Sequence, residues 1–311
     1  MTSPVSAAGE QAKSNVRGIF FMLLAMASFI INDTFVKLAR QDWETGQILV
    51  VRGVFALVFI AIWLALAGAF RKLPLMMRRE PLMRGFLEGF IAVTFIIALG
   101  QIALTDITAI FLTTPLVITA LSMLVFGEKV GWRRWGAVIA GFAGMLLVVR
   151  PGNNTIPPLA LALVLSSVLA AAFRDLMTRR MPVEVPSLIV LLASIAGVML
   201  AGLMMVAVTQ VWRPMAPAQL GFMLGSAAFV VLGNFAMINA TRGVELSVVM
   251  PFRYSVILWA VLLGIVVFDD WPKPLALGGI ALIAASGIYT LHRERIRQAE
   301  KLKQGQPGES G

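Results

Sequence analysis

The 311-residue sequence contains no cysteine and one histidine, and only 14% of its residues are charged. Without cysteine there can be no disulfide, no thiolate nucleophile and no Cys-based metal site, and the redox compartment leaves no mark. The single histidine, His292, follows the last apolar run, so a His-rich metal site is also excluded. The phosphate-cradling pattern GxxxxGK[ST] is missing, so no P-loop ATPase drives the chain from within. Neither G-x-S-x-G nor H-E-x-x-H is present, which removes the commonest hydrolase signatures. No cofactor is expected. Long polar stretches are missing too, which leaves no room for a soluble domain between the apolar segments. Residues 1–16 are polar without a cleavage-site pattern, and are expected to be a cytoplasmic tail before a retained first span.

What the sequence has in excess is hydrophobicity: 59% of residues are apolar and the mean hydropathy is +0.87. Soluble domains carry roughly 25% charged residues, so this composition describes an integral membrane protein. The apolar runs are long and continuous, unlike the alternating ten-residue strands of a barrel, so the expected class is all-α. Ten spans are expected, at 17–38, 46–68, 81–102, 106–126, 132–149, 157–178, 186–209, 217–240, 243–268 and 274–291. With the N-terminus inside, 19 of the 26 Lys and Arg lie on the inner side. Five (Lys37, Arg40, Arg150, Arg213 and Lys273) lie outside, and Arg52 and Arg253 fall within spans. The positive-inside rule then places both termini in the cytoplasm. It also accounts for the net charge of +10 without a nucleic-acid partner. The tail 292–311 is expected to begin as a charged helix and end disordered.

Polar residues inside apolar spans are the candidates for function, because charge at membrane depth is costly and tends to face a partner or a wet cavity. Arg253 sits near the middle of the 243–268 run, beside Pro251, Phe252 and Tyr254. It is the first candidate for binding a substrate carboxylate, with Tyr254 orienting the ligand and Phe252, Tyr254 and Trp259 forming an aromatic wall. Glu88, flanked by Gly85 and Gly89 in span three, is expected to carry a proton or to pair with Arg253 or Arg84. Asp33 and Arg52, with Asn32 and Lys37 in reach, read as a gate at the outer ends of spans one and two. Arg174 and Asp175 read as the inner counterpart. Thr113, Thr114 and Pro115 break span four; Ser166 and Ser167 do so in span six, and Asn234 and Asn239 in span eight. Thr114 and Asn234 are the substrate candidates in this group, although interhelical bonding is the commoner use of such side chains. Gly136, Ala140 and Gly144 form a small-residue face suited to close packing or to a homodimer contact. Trp43, Trp212 and Trp271 read as interfacial aromatics.

An offset of 142 residues places Asp33 on Asp175, Lys37 on Arg179, Phe126 on Phe268, Glu128 on Asp270 and Gly136 on Gly278. This suggests two five-span halves, 17–150 and 157–291. Because five is odd, the halves must have opposite orientations, an architecture found in secondary transporters. The segments Arg17–Ala39 and Pro115–Gly152, with Phe126-Gly127-Glu128 before a Gly-rich span, resemble the EamA branch of the drug/metabolite transporter superfamily. The stretch Pro251–Tyr289 resembles the second copy of the repeat, with Asp269-Asp270 where the signature usually has Gly-Glu. The resemblance implies ten helices in two inverted EamA repeats, in a bacterial inner membrane, moving small metabolites. Amino-acid exporters are found in this family, and riboflavin or S-adenosylmethionine importers in related branches.

The expected function is therefore secondary active transport by alternating access. The central cavity would be lined by spans one, three, four, six, eight and nine. Export of amino acids or related amphiphilic compounds is the first expectation, and uptake of riboflavin or S-adenosylmethionine the alternative. A membrane enzyme would need paired acids, histidines or metal ligands at an interface, and a scaffold or sensor would have little use for deep charges.

Overall fold

The structure, a computed structural model, describes residues 4–126, 132–149, 156–178, 185–209, 211–241 and 249–303. The sequence readings that fall on Gly127, Glu128, Lys129, Arg150, Arg179, Arg180, Arg242 and the first residues of the 243–268 run lie outside the described residues. The described residues form helices without a strand. In chain order they are α1 (Pro4–Ala39), α2 (Thr45–Leu66), a 3-10 segment (Phe70–Met77), α3 (Arg79–Leu99), α4 (Leu104–Phe111), α5 (Thr114–Phe126) and α6 (Trp132–Val149). There follow α7 (Pro158–Thr178), α8 (Ser187–Thr209), α9 (Pro217–Thr241), a second 3-10 segment (Met250–Ser255), α10 (Val256–Phe268) and α11 (Pro274–Lys303).

Among the described residues, six helices are long and apolar enough to cross a membrane: those over residues 15–39, 45–66, 79–99, 158–177, 187–209 and 217–237. Four shorter apolar helical stretches cover 104–118, 135–149, 252–268 and 274–289. Their outer faces are greasy: Leu66, Phe86, Val208, Leu258 and Val266 are all exposed by more than two thirds. A soluble protein rarely presents so much continuous apolar surface, whereas lipid is the natural neighbour for it.

Two helices depart from the expected spans for reasons visible in the chain. Span four breaks at Leu112–Thr113, between α4 and α5. Pro115 has no N–H to give the Phe111 carbonyl four residues back. The Thr114 hydroxyl donates to that carbonyl instead, at 2.5 Å. Span nine also changes: Arg253 lies in the 3-10 segment ahead of the 13-residue α10. It therefore stands at the entrance of the described helix, not near its centre.

Packing runs mainly between the first and second parts of the chain. α1 lies on α9 and α10, α2 on α8 and α9, α3 on α7 and α8, α5 on α7, α4 on α10 and α6 on α11. Glycine makes the α3–α8 contact possible. A Cβ on Gly85 would stand 2.5 Å from the Ala193 carbonyl oxygen, and one on Gly89 would stand 2.7 Å from that of Gly197. On α6, Gly144 faces the Gly279 carbonyl of α11, while Gly136 meets open space. The expected small-residue face is thus shifted onto Gly141 and Gly144, and it packs within the chain.

Candidate functional site

A cavity of about 390 Å³ lies inside the bundle, within the usual range for small-molecule sites. Residues from α1, α2, α3, α4, α5, α7, α8, α9, the second 3-10 segment and the start of α10 line it. The sequence reading omitted spans two and seven, yet α2 contributes Arg52 and Gly53, and α8 contributes Leu191, Ser194 and Val198.

Seven charged side chains reach this one cavity: Asp33, Arg52, Arg84, Glu88, Arg174, Asp175 and Arg253. Arg174 is the hub. Its Nη1 donates to Glu88 Oε2 at 2.6 Å, and its Nε and Nη2 donate to Asp175 Oδ1 at 2.9 and 2.7 Å. One guanidinium therefore holds two carboxylates, in the short charge-assisted geometry that suits arginine. Glu88 is thus paired with Arg174, a partner the sequence reading did not name. Arg84 Nε donates to Ser194 Oγ at 3.2 Å. Among the described residues Arg253 makes neither a hydrogen bond nor an ion pair, which leaves its guanidinium open toward the cavity it lines.

Asp33 and Arg52 do not form the expected direct salt bridge. Asn32 stands between them. Its Nδ2 donates to Asp33 Oδ1 at 2.9 Å, and its Oδ1 accepts from Arg52 Nη1 at 3.4 Å and from Ser226 Oγ at 2.7 Å. Both residues line the cavity, as do Arg174 and Asp175, so the four residues read as gates share the substrate candidates' space. Lys37 turns away from this group, donating to Asp270 Oδ2 at 3.3 Å and to the Ile102 carbonyl at 3.0 Å.

The other candidates divide. Asn234 lines the cavity, with its Nδ2 given to the Val230 carbonyl of its own helix at 2.8 Å. Tyr254 does not line it: the side chain is buried and the hydroxyl packs against Gly287 of α11. Phe252 is 38% exposed and also lies off the cavity. Thr114 is buried, and its hydroxyl is committed to Phe111. Ser166, Ser167, Thr113 and Asn239 likewise bond to carbonyls of their own helices. The aromatic wall comes from Phe29, Phe95 and Phe111, the last two edge to face at 5.3 Å between centroids. Trp43, expected at the interface, is almost fully buried; Trp212 and Trp271 are exposed. No group of acids or histidines able to hold a metal occurs among the described residues.

Over 293 residues the chain is 22% identical to the S-adenosylmethionine uptake transporter of Rickettsia prowazekii (strain Madrid E), covering 93% of this chain and 97% of that protein. It is 28% identical over 210 residues to a riboflavin transporter of Rhizobium johnstonii, covering 66% and 67%. It is 23% identical over 283 residues to the pseudopaline exporter CntI of Pseudomonas aeruginosa, covering 87% and 94%. A crystal structure matches with a TM-score of 0.60 at 15% identity, over 92% of this chain and 99% of that one. That likeness speaks to fold alone. These relatives are named as transporters and not as enzymes, and residues 16–150 match the EamA-like transporter family.

Proposed function

We propose that the chain is a secondary carrier that moves a small, carboxylate-bearing metabolite across a bacterial inner membrane by alternating access. The observation that carries this reading is the cavity itself. Seven ionisable side chains converge on one space inside an apolar bundle. Charges at membrane depth are expected to mark a substrate pathway.

The architecture behind the reading is ten spans in two halves of opposite orientation, with both termini cytoplasmic. The helix contacts support it. Exchanging the halves turns the α1–α9 contact into α7–α3, α2–α9 into α8–α3, and α5–α7 into α10–α1, and all of these contacts occur. The contacts α2–α8 and α6–α11 map onto themselves. The 142-residue offset also brings Asn32 onto Arg174, Asp33 onto Asp175, Arg52 onto Ser194 and Arg84 onto Ser226. Under that offset, residues of the two polar clusters fall opposite one another, which supports the reading. Under this reading the site lies at the interface between halves, where such carriers bind their cargo.

Arg253, open to the cavity, receives the substrate carboxylate. Asn234 supplies a hydrogen-bonding amide, and Phe29, Phe95 and Phe111 cover the apolar body of the ligand. Glu88 acts as a stand-in anion on Arg174, which a carboxylate substrate can displace. Both uptake and export carriers occur among the relatives, so the reading covers exchange in either direction. Amino acids are the first class to test, and S-adenosylmethionine, itself an amino-acid derivative, stands beside them.

The test is counterflow exchange in proteoliposomes preloaded with amino acids, S-adenosylmethionine or riboflavin, with and without a pH gradient. Saturable exchange of one class, lost in Arg253→Ala, is the expected result. Exchange that survives Arg253→Ala would refute the assignment of this residue. Absence of exchange for every compound, with folded protein, would count against the reading as a whole.

A further inference from the structure

At the end of the bundle that carries residues 37–47, side chains from the first and second parts of the chain pack and bond together. Trp43, Leu99, Leu104 and Ile107 are almost completely buried there. Around them lies a polar ring. Gln47 donates to the Arg213 carbonyl at 2.7 Å and accepts from the Arg213 N–H at 3.1 Å. Arg213 Nη1 donates to the Asp42 carbonyl at 2.9 Å, and Gln219 Nε2 to Asp42 Oδ2 at 2.9 Å. On the other side of the ring stands Lys37, whose ammonium pairs with Asp270 at 3.3 Å, donates to the Ile102 carbonyl and lies 4.8 Å from the centre of the Phe268 ring.

The backbone explains how Asp270 comes to face Lys37. Asp269 adopts a left-handed conformation, φ 52°, at the end of α10. Among the described residues it is the only non-glycine with positive φ. Its N–H bonds to the Ile265 carbonyl and the N–H of Asp270 bonds back to that of Gly264, which ends the helix in a tight reversal. The reversal places the Asp270 carboxylate against α1. The Lys37 and Asp270 side chains are only 15% and 35% exposed, so the pair is shielded enough for its charges to matter.

We propose that Lys37 and Asp270 form a releasable latch holding this mouth of the cavity shut, and that breaking the pair is required for opening at this end. The inference rests on the carrier reading, since only a protein that alternates needs to open here. The two sides of the ring differ in chemistry. Gln47 clips the Arg213 backbone by two neutral hydrogen bonds. Lys37 meets Asp270 through one ion pair, in which both groups regain hydration when they part.

The absence of cysteine makes the test clean. Thr108→Cys places a single thiol on the cavity wall, one helical turn deeper than Leu104. Gln101→Cys, exposed at the same end, identifies the face. A membrane-impermeant maleimide applied to that face should label Thr108→Cys slowly in the parent. Lys37→Met and Asp270→Asn should each accelerate labelling at least fivefold. The swapped pair, Lys37→Asp with Asp270→Lys, should return it to within twofold of the parent, and Lys37→Arg should stay there. Unchanged labelling in both single variants would overturn the proposal. So would a swapped pair, or Lys37→Arg, that labels as fast as Lys37→Met, because packing and not charge would then hold the mouth. Monodisperse size-exclusion profiles establish that each variant is folded. The labelling is measured without substrate. Failed exchange with charge-dependent labelling would therefore count against the carrier reading and not against the ion pair's hold on this end.

Discussion

Arg174→Met is the most informative single change in the cavity. It removes the one guanidinium that serves both Glu88 and Asp175, at 2.6 and 2.7 Å. The three side chains are 14%, 22% and 24% exposed, so water reaches them only in part. Breaking a buried ion pair costs about 3–5 kcal/mol, because the orphaned charge stays behind. The cavity gives some solvation, and Arg84 and Arg253 are close enough to take part of the load, so the lower end of that range, about 3 kcal/mol, applies. At about 2 °C per kcal/mol for a chain of this size, the melting temperature in detergent should fall by roughly 6 °C. The decisive comparison is the triple variant Arg174→Met, Glu88→Gln, Asp175→Asn. It removes the orphaned charges together with their partner, and should recover most of the loss while remaining unable to exchange substrate. The assay is thermal melting followed by fluorescence-detected size exclusion. A single variant within 1 °C of the parent, or a triple variant no more stable than the single, would refute the charge-hub argument.

Further expectations follow from other parts of the structure. Arg253→Ala should abolish exchange without altering the melting temperature by more than a degree or two, since among the described residues the guanidinium makes no hydrogen bond or ion pair. Gly197→Leu should weaken the α3–α8 contact by about 1–3 kcal/mol of overpacking, seen as a lower melting temperature, because a Cβ at Gly197 collides with the Gly85 carbonyl. Asp269→Gly should raise stability by about 1 kcal/mol, since glycine occupies the left-handed region without the penalty an L-residue carries. An unchanged melting curve would show that the Trp271 indole bond to Asp269, 3.0 Å, offsets the strain. Right-side-out cells should label Gln101→Cys and spare Met77→Cys; the reverse pattern would invert the topology expected from the Lys and Arg distribution.

The course of the chain was largely legible. Most described helices fall within a few residues of the apolar runs, because hydrophobic length is a strong signal in a membrane protein. Arg253, Glu88, Asp33, Arg52, Arg174, Asp175 and Asn234 stood out as polar residues interrupting those runs, and all seven line the cavity. The partners were not legible. Glu88 meets Arg174 across 86 residues of sequence, and nothing local foretells the pairing. Arg84 entered the sequence reading as a possible partner of Glu88, and its place on the cavity wall was not anticipated. Tyr254 and Phe252 were credited by adjacency to Arg253, yet helical geometry sends neighbours in different directions. The aromatic lining came from phenylalanines that look like any other apolar residue in a span. The Gly-to-Asp departure at Asp269 was visible in the sequence. Its meaning, a left-handed residue closing a helix, needed the backbone.

The packing of first-half helices onto second-half helices has a consequence for biosynthesis. When Glu88 enters the membrane, its partner Arg174 has yet to be made. At about 5–20 residues per second, the 86 residues between them correspond to roughly 4–17 s. During that interval a carboxylate and the bare glycine edge of α3 must wait in the insertion machinery or the lipid, without the surfaces that will cover them. Assembly of this protein is therefore tied to the completion of its second half. A ribosome stalled between α3 and α7 would leave a fragment with buried-type charges and no partner, a natural target for membrane quality control.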